Sequence, residues 1–239
     1  MDDPKPASDV LAGESVELPC RECGVAVITP QFLRRMATTH GVICSACSDR
    51  DNQRLTRQIM DRSACVRAER WKQLCPPDFL ETKRERLPIP KKCDEVMSWE
   101  HGPQGLFLAG PTATGKSRCA WLLAKRQWMA GKSVRCLDYA GGIAYASRYS
   151  ESPKLVEDWL ERHCSVDLLL LDDVFKTRVT DSFESALFFV IARRTENQLP
   201  IIITANDSAA TLLQRLSPDR GDAMLRRLKE FCKVISFVN

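Results

Sequence analysis

Five short apolar runs punctuate the chain from residue 105 onward: "GLFLAG" (105–110), "SVRCLDY" (133–139), "DLLLLDD" (167–173), "LPIIITAN" (199–206) and "KVISFV" (233–238). Helical patterns separate them. "KSRCAWLLAKRQWMAG" (116–131) is stopped by Gly131, and "PKLVEDWLERHC" (153–164) is opened by Ser152-Pro153. "SFESALFFVIARRTEN" follows Asp181, which with Glu184 reads as a capping box. Continuous apolar strands spaced by helices predict an α/β fold with a parallel sheet covered on both faces. Upstream, residues 49–74 hold neither Gly nor Pro and are rich in Arg, Gln, Leu, Met and Ala. They predict one long helix. Its apolar residues are sparse, so most of its surface should be wet, and "CPPDF" (75–79) ends it. Residues 1–17 read as a polar tail. The expected organisation is a tail and cysteine module over 1–48, a linker helix over 49–74 and a main domain over 75–239.

Composition narrows the class. The 239 residues are 44% hydrophobic and 28% charged, ordinary for a globular protein. No apolar run approaches the ~20 residues of a membrane span, and "MDDPKPASDV" is too polar for a signal peptide. A cytoplasmic location is expected, with no membrane partner. A net charge of +4 excludes polyanion binding by bulk charge. Any nucleic-acid contact must come from a local patch.

"GPTATGKS" fits G-x-x-x-x-G-K-[ST], follows a strand and opens a helix. The loop Gly110, Pro111, Thr112, Ala113, Thr114, Gly115, Lys116 and Ser117, with Arg118 after it, is the expected ATP cradle. Its amides and the helix N-terminus hold phosphates. Lys116 reaches the β/γ oxygens and Ser117 offers a hydroxyl to Mg²⁺. Asp172 emerges at the carboxyl end of the run "DLLLLDD", where ligands of open α/β sheets bind, and is the second Mg²⁺ ligand. Asp173 is expected to position or deprotonate the attacking water. Many such ATPases carry Glu there; Asp is one methylene shorter, so slow hydrolysis of ATP to ADP and phosphate is expected. A whole strand lies between the two motif strands. That arrangement suits ATPases in which the tip of the next strand sets a polar side chain beside the attacking water, here Asn206.

There are 11 cysteines, and an odd number argues against a disulfide framework. Cys20, Cys23, Cys44 and Cys47 form C-x2-C-x20-C-x2-C, the spacing of a tetrahedral zinc site. A closed four-thiolate site has no open position, so Zn²⁺ would fold the module rather than catalyse. His40 stands away from both knuckles. Cys65, Cys75, Cys93, Cys119, Cys136, Cys164 and Cys232 read as structural, several of them as small hydrophobes in apolar runs. Aromatic and basic residues interleave in "GGIAYASRYSESPK", with Tyr145, Arg148, Tyr149 and Lys154, and "FKTRVT" adds Lys176 and Arg178. That mixture suits single-stranded DNA; the alternative is a solvated helix with core tyrosines.

With these motifs in order, residues 71–239 resemble the AAA+ ATPases of the DnaC/DnaI helicase-loader group and the related IstB transposition ATPases. The residues carrying the resemblance are "CPPDFLETKRERLP", "GLFLAGPTATGKS", "LLLLDDV", "IIITAN" and "RGDAMLRRLKEFCKVISF". Ala113 departs from the group, which often has a second glycine there. The resemblance implies an AAA+ P-loop ATPase core over 75–239 with a five-stranded parallel sheet in the order 5-1-4-3-2. The sequence ends at "SFVN", so no C-terminal helical lid is expected. The resemblance also implies an arginine finger given to a neighbouring subunit, placed at Arg227 with Arg226 as the alternative, and hence self-association. It implies that the zinc module grips a hexameric replicative helicase for delivery to single-stranded DNA. The rivals are an IstB-like transposition ATPase acting on duplex DNA and an ATP-binding adaptor that barely hydrolyses.

Overall fold

The computed structural model describes residues 14–148, 152–173, 180–206 and 216–238. The chain divides into two units, Met1–Cys65 and Val66–Asn239. In the first, β1 (Ser15–Pro19) and β2 (Ala26–Pro30) form an antiparallel hairpin in register from Ser15↔Pro30 to Pro19↔Ala26. The first cysteine knuckle is the hairpin's turn, closed by Gly24 N–H to the Cys20 carbonyl (2.8 Å). A single 3₁₀ turn leads into α1 (Arg34–His40), which stops at Gly41 with φ 75°. The long helix α2 (Ser45–Leu74) starts ahead of the expected Asp49, because the second knuckle is itself helical. Leu55, Ile59, Met60 and Val66 on α2 are exposed, as its sparse apolar pattern predicts. Among the described residues up to Cys65 only Cys20, Thr29 and Cys47 are buried. Among the described residues this unit shows no apolar core, and two of the three buried groups are thiols.

The second unit is built on the five apolar runs. After the short α3 (Pro77–Leu80) and α4 (Pro90–Met97) come β3 (Gly105–Ala109), α5 (Lys116–Met129), β4 (Val134–Asp138) and α6 (Tyr139–Arg148). Then follow α7 (Pro153–Cys164), β5 (Leu168–Asp172), α8 (Asp181–Glu196), β6 (Ile201–Ala205), α9 (Pro218–Phe231) and β7 (Cys232–Ser236). The strands pair in parallel in the order β4-β5-β6-β3-β7. Counted from β3 as the first core strand this is 5-1-4-3-2, the order the resemblance implied. Alternate residues serve opposite faces. Phe107, Leu169, Leu171, Ile201 and Ile203 pack with α7, α8 and α9. Leu106, Leu108, Leu168, Leu170 and Ile202 pack with α4, α5 and Trp71 at the end of α2. Each such burial contributes about 1.5–3 kcal/mol, enough together to fix the register.

One buried charge ties the amino edge of the sheet. Arg194, on α8, is fully buried. Its guanidinium donates to the carbonyls of His163 (2.9 Å), Val166 (2.9 Å) and Pro200 (2.8 Å). It thereby joins the end of α7, the approach to β5 and the approach to β6. Burial lowers its pKa to about 10, which leaves it charged at neutral pH. The capping box expected at the start of α8 is not formed. Thr180 caps the helix, accepting from the Phe183 amide. Glu184 is instead buried, and its carboxylate accepts from the backbone N–H (3.0 Å) and hydroxyl (2.5 Å) of Ser217, the N-cap of α9. A bare four-residue spacing cannot tell a local box from a longer reach.

Arg194→Met should strand these buried carbonyls and destabilise the protein by roughly 3 kcal/mol. For a chain of this size that lowers Tm by roughly 10 °C in calorimetry. Arg194→Lys should recover only part of the loss, because one ammonium cannot span three carbonyls on two sides.

Candidate nucleotide site and cysteine cluster

The loop between β3 and α5 is shaped by its backbone. Gly110 has φ 147°, and a Cβ there would lie 2.7 Å from the Phe237 carbonyl oxygen. Gly115 has φ 92° and turns the chain into α5. Ala113 has φ 62°, the left-handed region where a glycine is cheaper by about 1 kcal/mol or more. The alanine at this position thus carries a backbone cost. Lys116 is buried, and its Nζ donates to the carbonyls of Gly110 (2.9 Å) and Pro111 (2.7 Å). Ser117 is half-buried in the first turn of α5, and Pro111, Thr112 and Ala113 are exposed. Thr114 donates its hydroxyl to the Pro111 carbonyl (2.9 Å). Arg118 turns away: it donates to the Asp78 carbonyl (2.9 Å) and lies over the Phe79 ring.

The tips of β5 and β6 hold the two aspartates. Asp172 is buried, with Oδ1 accepting from the Thr204 hydroxyl (2.7 Å) and Oδ2 from Trp121 Nε1 (3.0 Å). Asp173 leaves the strand at φ 54°. Its amide donates to Thr204 Oγ1 (3.0 Å), and its carboxylate accepts from Asn206 Nδ2 on both oxygens (2.9 and 2.8 Å). The structure thus brings Asp172, Asp173 and Asn206 into one hydrogen-bonded edge. Two members escaped sequence reasoning. Thr204 carried a signal, a hydroxyl in the apolar run "IIITA"; Trp121 carried none. Ser117 and Asp172 offer a hydroxyl and a carboxylate, the oxygen donors that Mg²⁺ takes, so the residues present fit that ion.

The two finger candidates differ. Arg226 is exposed on α9. Arg227 lies over the Phe188 ring at 5.0 Å, with one guanidinium nitrogen buried and unbonded. Tyr145 is not a DNA contact in this geometry. It is buried against Trp159 (4.7 Å) and Phe183 (5.5 Å), so its ring has no open face for a base. Tyr149, Lys176 and Arg178 lie outside the described residues, as does the side chain of Arg148. Lys154 is exposed at the start of α7.

In the first unit the ligand atoms of Cys20, Cys23, Cys44 and Cys47 all lie within 4.8 Å of one another. The Sγ atoms of Cys23 and Cys44 are 3.6 Å apart, near the ~3.8 Å edge of a tetrahedron with 2.3 Å zinc–sulfur bonds. The Cys44 amide donates to Cys20 Sγ (3.3 Å), and Arg50 donates to Cys47 Sγ (3.4 Å). That amide bond, chiefly, brings the Cys20 thiol down to about 6. Cys47 is pushed up to about 12, foremost by its hydrogen bond with Cys23. The donor set fits zinc. Of the other seven cysteines, Cys75, Cys93, Cys119 and Cys232 are buried and Cys136 and Cys164 half-buried, as small hydrophobes; Cys65 is exposed on α2, against that expectation.

Comparison with known proteins places this geometry. The profile of a family described as IstB-like ATP binding protein matches residues 48–239. No curated protein matches the chain. Among solved structures the chain is similar to that of DnaI, with 17% identity and a TM-score of 0.54 over 71% of this chain and 97% of that one. It is similar to the DnaC helicase loader, with 18% identity and a TM-score of 0.52 over 70% of this chain and 98% of that one. It is also similar to AMPPCP-bound DnaA from Aquifex aeolicus, with 17% identity and a TM-score of 0.53 over 67% of this chain. The chain spans 50% of that DnaA chain. At these identities the likeness is one of fold. No helix among the described residues is long and apolar enough to cross a membrane.

Elemental analysis of the purified protein should find about one zinc per chain. Cys20→Ser or Cys47→Ser should lose it and unfold the first unit, read as lost far-UV helicity, while nucleotide binding persists. Tight retention of one zinc by both variants would sink the four-cysteine assignment.

Proposed function

The chain belongs to the IstB-like ATP-binding protein family, and from that premise we propose that it is an ATP-hydrolysing helicase loader. The cysteine module, residues 1–48, docks a hexameric replicative helicase. The ATPase domain, residues 75–239, governs its delivery to single-stranded DNA. The observation that carries the reading is the joining of two things in one chain: the hydrogen-bonded edge Asp172–Thr204–Asp173–Asn206 beside the Lys116 loop, and a separate four-cysteine unit in front. The fold likeness to DnaI and to the DnaC helicase loader, spanning nearly all of those chains, supports it.

The geometry supports the following roles. Lys116 lies inside the loop, where its ammonium offsets charge on the β and γ phosphates. Ser117 and Asp172 would hold Mg²⁺, which when bound supplies Lewis-acid stabilisation of the phosphate charge. Asp173 accepts a proton from the attacking water while the bond from the γ-phosphorus to the bridging oxygen breaks, giving ADP and phosphate. Asn206, bonded to both oxygens of Asp173, sets the direction of that carboxylate. An arginine from a neighbouring subunit meets charge on the γ-phosphoryl. Arg226 reaches outward as it stands, whereas Arg227 would first have to leave Phe188. Single-stranded DNA is assigned to the region around Arg148, Tyr149, Lys176 and Arg178.

The family profile favours a second reading, a transposition ATPase assembling on duplex DNA. The cysteine unit stands ahead of the matched segment and favours the loader.

Lys116→Ala should abolish or strongly weaken ATP binding. Asp173→Asn should keep binding and stop turnover; unchanged turnover removes the base from the mechanism.

Full-length protein should retain a hexameric replicative helicase in a pull-down without ATP, and Cys47→Ser should lose it. Of Arg226→Ala and Arg227→Ala, the finger variant should keep ATP binding but cut turnover by about 10³-fold. Wild-type subunits should restore it in mixed assemblies. Failure to retain any replicative helicase, together with ATP-dependent assembly on duplex DNA, would select the transposition reading.

A further inference from the structure

We propose that Trp121 is the positioning residue for Asp172, holding the carboxylate that would bind Mg²⁺. The inference rests on the nucleotide-binding part of the reading above and is independent of the helicase. Trp121 Nε1 donates to Asp172 Oδ2 at 3.0 Å, with both residues buried. Thr204 donates to the other oxygen at 2.7 Å. Each carboxylate oxygen therefore has one donor from the protein interior and keeps a second lone pair for another partner. Two donors on two oxygens fix the plane of the group, which one donor does not.

The indole itself cannot swing. Phe79 stacks on it with ring centres 5.8 Å apart and planes inclined by 17°. Trp71 meets it edge-on, also at 5.8 Å. A phenyl ring in the same place would keep an aromatic face towards Phe79, though it is smaller than the indole, and would offer no donor. The position on the helix adds a second argument. Trp121 follows Ser117 by four residues on α5, so the two lie on one helical face. One face of α5 thus presents both the hydroxyl expected on Mg²⁺ and the N–H that orients the carboxylate expected on Mg²⁺. The helix acts as a ruler between the two oxygen ligands. A bond from a buried donor to a carboxylate is stronger than one between neutral groups, and its loss is correspondingly felt.

The test is Trp121→Phe in the full-length chain, probed with a fluorescent ATP analogue. Affinity is measured in EDTA and then over a Mg²⁺ series. Affinity in EDTA should be unchanged, because the ring stack and the phosphate loop persist. The Mg²⁺ concentration for half-maximal enhancement should rise about 10-fold, as expected when an outer partner of a metal ligand is removed. A folded variant with unchanged Mg²⁺ dependence overturns the inference and leaves nucleotide binding standing. A wild-type chain that binds no nucleotide overturns both. Should Trp121→Phe fail to fold, the wild-type protein labelled with ¹⁵N at its indoles decides. One indole N–H resonance should move markedly between wild type and Asp172→Asn, and move again when Mg²⁺ joins the nucleotide complex. No moving indole signal overturns the inference.

Discussion

The register between β5 and β6 is the constraint on which the site depends. Leu169 faces Ile201, Leu171 faces Ile203 and Asp172 faces Thr204. The first pairs are apolar and fully buried, so a slip by one residue would send an entire row of leucines and isoleucines to the wrong helices. That cost, several side chains at about 1.5–3 kcal/mol each, locks the last pair as well. Asp172 therefore reaches Thr204 because the hydrophobic pairs behind it leave no other place. Thr204 then serves both aspartates, donating to Asp172 and accepting from the Asp173 amide. The turn at Asp173, with φ 54°, is tolerated because this amide bond and the Asn206 contacts hold it there.

The same sheet places its buried charge at both edges by different means. At the amino edge Arg194 donates from both terminal nitrogens to backbone carbonyls, while its Nε is buried without a partner. At the carboxyl edge Asp172 is satisfied by a hydroxyl and an indole. A buried ion without an opposite charge is costly unless hydrogen bonds replace its water shell. Each is met by such bonds, but they differ in what remains. Arg194 spends its two terminal nitrogens within the protein and acts as a staple. Asp172 accepts one bond on each oxygen and retains capacity for a cation, which distinguishes a site from a strut.

Much of this was legible in sequence, for physical reasons that differ by element. The strands were readable because a sheet covered on both faces demands unbroken apolar runs, as "LLLL" and "III" show. Lys116, Asp172 and Asn206 were readable because each closes or follows such a run at a fixed place. The knuckles were readable because thiol spacing is itself the constraint. What failed was reach in three dimensions. Glu184 had the spacing of a local cap but bonds Ser217 across to another helix. Tyr145 had the company of basic residues but faces Trp159 and Phe183. Trp121 lies inside an amphipathic helix, where an aromatic residue is expected to fill space, and its N–H is invisible to any periodicity. Periodicity says which face a residue occupies, and not which atom on that face meets a partner.

The arginine pair shows how packing assigns roles to adjacent residues. Helix α9 is bound to α8 along its length. Glu184 holds its N-cap at Ser217, Arg220 donates to Ser185 (2.6 Å) and the Asp181 carbonyl, and Arg227 covers Phe188. Successive residues on a helix point about 100° apart. Once Arg227 is fixed against α8, Arg226 is turned out of the interface, where it is exposed. Neither arginine can exchange places without rotating α9, and rotation would pull Met224 and Leu228 from the core beneath the sheet. The helix thus presents one arginine outward and retains one as a brace.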